Sequence, residues 1–121
     1  MDSKKSFLAI FLGSKTSPRM LAWNALPEAE LAKKHTEAVA AWKAWADQHA
    51  AAIVVMGGPL GKTKRASPEG VADIANEMQA YTVVQAESHA AAAKMFEGHP
   101  HFAVFPGDAI EIMEVLPIPA A

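Results

Sequence analysis

The segment SFLAIFLG, Ser6 to Gly13, decides how the rest of the chain must be arranged. Phe7, Ala9 and Phe11 form one alternating set and Leu8, Ile10 and Leu12 the other, so a strand here is apolar on both faces. Helices can cover one of those faces, and something else must cover the second. The next segment, SKTSPRMLAWNALP, carries Pro18 and Pro27 and reads as a loop. Pro27 suits the first turn of a helix, where its missing N–H has no intrahelical acceptor to lose, and Glu28 and Glu30 favour that end through the helix dipole. From there to about His49, the residues Leu31, His35, Ala38, Trp42, Trp45 and His49 recur at helical spacing. Glu30 with Lys34, Lys33 with Glu37 and Lys43 with Asp47 place opposite charges four apart along the same helix.

AIVVMGGPLG follows as a β-branched strand ending in glycines. Residues from about 62 to 77 form an exposed excursion with a turn at Ser67-Pro68-Glu69-Gly70; a lid, a hairpin extension and a helical turn are all open to it. MQAYTVVQA, Met78 to Ala86, is a third strand, and Ser88 can cap a second helix, HAAAAKMFE, which Gly98 and Pro100 end. A short extended piece at Phe102 to Phe105 turns at Pro106-Gly107-Asp108 into a final strand, Ala109 to Ile118. The order βαββαβ predicts an α+β fold, a ferredoxin-like antiparallel sheet with two helices on one face. The final strand also spreads Ile112, Met113, Val115 and Leu116 over both faces, and 121 residues leave no third layer to cover the second. A homodimer packed sheet against sheet, a dimeric α+β barrel, is the expected solution.

Composition narrows the function classes. A chain of 121 residues, 51% hydrophobic and 20% charged, is expected to form a single globular domain. A net charge of -2 gives no concentrated positive surface, so nucleic acid is not expected as a partner. The absence of cysteine removes thiol nucleophiles, disulfides and thiolate metal sites together. Lys4 and Lys5 before Phe7 to Leu12 imitate the start of a signal peptide, but the apolar run is short and meets Gly13-Ser14-Lys15. Ala50 to Met56 is far too short to span a bilayer, so a cytoplasmic protein without a membrane partner is expected.

GGPLG after the second strand, AYTVVQAES before an Ala-rich helix, HPHF at that helix's end and IEIMEVLPI near the C-terminus together resemble the YCII-related (DGPF-domain) family of the dimeric α+β barrel superfamily. The resemblance runs from about Phe7 to Pro119. It implies the fold and dimer already expected, with a pocket between the helix face, the sheet and the loops at one end. In one branch of the family a histidine on the first helix, paired with an aspartate, has been proposed as an active centre. His35 is the nearest match here; it lies further upstream of GGPLG than that branch places it, and Trp42 stands roughly where the histidine would be. Family members occurring with sigma factors make a transcription-linked interaction role a second implication.

Several residues are candidates for chemistry. MGGPLGKT supplies Gly61-Lys62-Thr63, the second half of a phosphate-binding loop, but Met56 occupies the first glycine's place and no helix start follows. In GHPHF, His99 and His101 could begin a metal site with Asp108 or Glu111, yet no established ligand spacing supports one, and neither metal nor cofactor is expected, haem included. His101 with Asp108 is the expected catalytic pair, and His35 a third candidate, because an imidazole suits proton transfer near neutral pH. His99, Trp23, Trp42, Met56 and Glu111 are the candidate ligand-binding residues, against the simpler readings of helix end, core packing and loop attachment. Lys62, Lys64 and Arg65 make a small basic tip. Two classes of function follow: a cofactor-free small-molecule enzyme, and a non-catalytic ligand-binding or interaction module.

Overall fold

The computed structural model describes residues 4–120. Its elements are β1 (Lys5–Leu12), α1 (Pro18–Asn24), α2 (Glu28–Gln48), β2 (Ile53–Pro59), β3 (Thr63–Ser67), β4 (Gly70–Ile74), β5 (Met78–Ala86), α3 (His89–Lys94), α4 (Pro100–Ala103) and β6 (Ala109–Glu114). The main sheet has four strands in the order β2-β5-β1-β6, all antiparallel, which is the ferredoxin-like arrangement. β1 lies at its centre, paired with β5 on one side and β6 on the other, as a strand apolar on both faces should be.

Strand parity sets the core. Phe7, Ala9 and Phe11 of β1, Val84 and Ala86 of β5, Trp45 of α2, and Ala92 and Phe96 at α3 form one buried cluster. Trp42 stacks on Phe11 at 5.0 Å and the His89 ring stacks on Phe7 at 5.4 Å, so α2 and α3 cover the same face. The other face carries Leu8, Ile10, Tyr81 and Val83, all half-buried, with Val55 at 45% and Met113 at 41% exposure across from Val83 and Leu8. That face has no covering layer among the described residues.

Three segments differ from their sequence reading. Residues 14–27, read as a loop, contain α1: the Ser17 hydroxyl accepts from the Met20 amide at 3.1 Å and Pro18 occupies the first turn, so the serine-proline pair starts a helix. Phe102 to Phe105, read as extended, lies within and just beyond α4, a single turn whose N-cap is His99 and whose first residue is Pro100. β6 stops at Glu114 rather than Ile118; one further bond, Val115 N–H to the Ser6 carbonyl at 2.8 Å, precedes Pro117 and Pro119, which have no amide to donate. The excursion takes the hairpin form, β3 paired with β4 around the Ser67–Gly70 turn.

Candidate active site

Side chains of α2, the strands β2 and β5, and the loop after α4 enclose a cleft of about 560 Å³. One face of α2 presents His35, Val39 and Trp42 to it, β2 contributes Met56 and the Gly57-Gly58-Pro59 run, β5 contributes Tyr81 and Thr82, and Phe105 closes an end. β2 reaches this position through two irregularities in its pairing with β5, between Ile53 and Val55 and between Val55 and Gly58. Gly57 has φ +67°, and a Cβ there would meet the Tyr81 carbonyl, so the backbone passes where no side chain fits. The Thr82 hydroxyl donates to the Met56 carbonyl and ties the bulged strand to β5.

Phe105 is fixed from below. The Arg19 guanidinium, projecting from α1, donates to the carbonyls of Gly107 at 2.8 Å, Phe102 at 2.5 Å and Phe105 at 3.1 Å. Held this way, the Phe105 ring meets Trp23 at 5.8 Å, His35 at 5.8 Å and Trp42 at 5.9 Å. The His35 ring lies edge-on to it at 79° and is exposed to solvent at the cleft mouth. Trp42 and Phe105 therefore give flat apolar walls, and His35 places an imidazole beside them.

The two histidines of GHPHF occupy a different environment. His99 is fully buried, with its ring 4.6 Å from both Trp42 and Trp45 and 5.1 Å from Phe11. Its Nδ1 accepts the His101 amide at 2.9 Å, which puts the ring proton on Nε2, and that atom has no hydrogen-bond partner among the described residues. Burial, reinforced by the neighbouring His101 and His49, pushes the His99 imidazole down to about 3, so it is neutral. His101 is 5% exposed and donates from Nε2 to the Leu12 carbonyl at 2.7 Å. Burial lowers its pKa as well, while that hydrogen bond and the charge of Asp108 work the other way. Gly107 packs so tightly on it that a Cβ would lie 2.3 Å from His101 Nε2.

The remaining candidates are dispersed. Asp108 is exposed and its carboxylate accepts the Ser14 amide at 2.8 Å, while its own amide shares the Leu12 carbonyl with His101. Glu111 is exposed and sits opposite Ile10, on the uncovered face of the sheet. Trp23 is half-buried behind Phe105. Of the sequence candidates, His35, Trp42 and Met56 line the cleft; His99 and His101 lie in the packed interior beside it. No group of three or more His, Asp or Glu side chains placed to hold a metal occurs among the described residues. Sequence reasoning missed Tyr81, Phe105 and Arg19. Strand parity puts Tyr81 opposite Ile10, on the uncovered face, and so gives no signal for it, and nothing local marks Arg19, whose three acceptors are more than eighty residues away.

Neither a protein-family model nor a curated protein matches this chain. Among solved structures it is similar to 5-chloro-2-hydroxyhydroquinone dehydrochlorinase (TftG) from Burkholderia phenoliruptrix AC1100, in complex with 2,5-dihydroxybenzoquinone. The TM-score is 0.52 at 18% sequence identity, covering 88% of this chain and 89% of that one. The likeness extends over nearly the whole of both chains and establishes a shared α+β fold.

Proposed function

We propose that this protein is a cofactor-free enzyme acting on a small planar ring compound, held against Trp42 and Phe105 with His35 as the proton-transferring group. The observation that carries this reading is the junction of flat aromatic walls and an exposed imidazole in one apolar cleft. Its volume, about 560 Å³, lies in the range of small-molecule sites. A neighbour of the same fold holding a dihydroxybenzoquinone supports a flat oxygenated ring as the class of ligand. The chemistry is redox-neutral: His35 takes a proton from an acidic ring position and leaves an enolate, which is reprotonated elsewhere or expels a leaving group with its electron pair. His101 and Asp108 act as positioning groups, because both bond to the β1 end and hold the loop that carries Phe105.

The reading includes a homodimer, since the half-buried and exposed apolar side chains on the second sheet face are what a twin sheet would cover. It also takes the chain as a YCII-related protein of the cytoplasm, on the GGPLG, AYTVVQAES and IEIMEVLPI segments. No helix among the described residues is long and apolar enough to cross a membrane.

The test uses 2,5-dihydroxybenzoquinone as probe. Titration calorimetry should detect binding that Phe105→Ala weakens, and the wild-type protein should accelerate exchange of the probe's ring hydrogens in deuterium oxide. His35→Gln should keep the binding and slow the exchange by about a hundredfold or more. Equal exchange in both proteins would remove His35 from the chemistry. Binding with no acceleration at all would favour the second reading, a non-catalytic ligand-binding module.

A further inference from the structure

A second and larger cavity, of about 1030 Å³, lies next to the cleft, beyond the Pro59–Ala80 pair, where the β3–β4 hairpin folds over the loops that follow β1 and β2. Three hydrogen bonds tie its framework together. The Gly13 amide donates to the Glu77 carbonyl at 3.0 Å, the Leu60 amide to the Gln79 carbonyl at 2.8 Å, and the Asn76 carboxamide to the Thr63 hydroxyl at 3.3 Å. Within this frame the polar groups are unequally satisfied. Lys64 is neutralised by Asp73 at 2.6 Å, but Lys15 and Lys62 have no ion-pair or hydrogen-bond partner among the described residues. The Gln79 carboxamide also lines the cavity without a partner of its own. It is pressed against Gly13, where a Cβ would lie 2.4 Å from Gln79 Oε1, so the absence of a side chain at position 13 is what lets the amide stand there.

Two unpaired ammonium groups and an amide donor therefore share one concavity, in a chain whose net charge is -2. The same cavity also has apolar lining: Leu60 and Met78 are 42% and 51% exposed, and Ile74 is half-buried. We infer that this cavity binds an organic oxyanion, a carboxylate or phosphate monoester whose charged head meets Lys15, Lys62 and Gln79 and whose apolar body lies on Leu60, Ile74 and Met78. The partial phosphate-loop pattern ending in Gly61-Lys62-Thr63 acquires a role here that needs no helix: it delivers one lysine to the rim of a cavity. This inference is independent of the α2 cleft, with which the cavity shares no lining residue.

Amide NMR titration of the intact protein with octanoate, octyl phosphate, octanol and inorganic phosphate tests it. The account expects saturable shifts at Gly61, Asn76 and Gln79 with the two charged octyl compounds, and weaker binding of both at high salt. The Lys15→Gln/Lys62→Gln double variant, with an unchanged melting temperature, should lose about tenfold or more in affinity. A stronger response to octanoate than to octyl phosphate assigns the carboxylate form, and the reverse assigns the phosphate form. Octanol binding as well as octanoate, inorganic phosphate binding as well as octyl phosphate, unchanged affinity in the double variant, or shifts confined to α2 would each overturn the inference.

Discussion

His99 packs against Trp42 and His35 against Phe105, two rings that touch each other, yet the two histidines differ sharply in burial. His99 is enclosed by Phe11, Trp42, Trp45 and Phe96, and the one hydrogen bond of its ring caps a single helical turn. His35 touches one ring, that of Phe105, and is otherwise open to solvent and to the cleft. Solvent access therefore separates the environments of two identical side chains. The enclosed ring is held neutral and supports packing, and the open ring is the one a ligand in the cleft could reach. Trp42 serves both, since it packs against His99 and also lines the cleft.

The largest effect should appear on the closed side. Phe11→Ala removes a ring that is 1% exposed and meets Trp42, Phe96, His99 and His101, and should cost about 3–5 kcal/mol in denaturant unfolding. A loss below about 1 kcal/mol would mean that this side is not the packed core described here.

Acid should come next, because the folded state resists protonating His99 and His101 while the unfolded state does not. With the folded pKa of His99 near 3 against an ordinary 6.5, the unfolded chain binds the extra proton between these values. The stability that His99 contributes is therefore complete above about pH 6.5 and falls as the pH drops towards 3, by up to about 1.4 kcal/mol per pH unit. His101 acts in the same direction. His99→Phe should flatten this dependence; an unchanged slope would break the contrast between the two histidines.

Gly107→Ala should cost about 1–3 kcal/mol, because the new methyl would meet the His101 ring and its carbonyl oxygen. On the open side, His35→Gln should change stability by less than about 0.5 kcal/mol in the same unfolding assay, as expected for an exposed side chain with a single ring contact. A large loss there would show His35 to be structural.

The two sides were unequally legible in the sequence. β1 and β5 could be placed from alternation alone, and α2 from its 3.6-residue spacing, because these patterns are local and repeat. The uncovered apolar face also follows from β1, since six consecutive apolar positions can only be divided between two surfaces. α4 was not legible: one turn is too short for periodicity, and its N-cap is a histidine rather than a residue that usually fills that role. The cleft was half legible. His35, Trp42 and Met56 belong to long elements with a readable face, whereas Phe105 takes its place only through Arg19, a contact between distant parts of the chain. His99 and His101 of GHPHF are buried, a placement that their spacing in the sequence does not reveal.

Imidazole ring NMR offers the most direct test, following the ring nitrogens of every histidine from about pH 8 to about pH 4, with and without 2,5-dihydroxybenzoquinone. The account predicts that His99 remains a neutral ring protonated at Nε2 throughout and ignores the quinone, while the His35 signals move when the quinone is added. A His99 ring that takes up a second proton within that range, or a quinone response at His99 or His101 in place of His35, would contradict it.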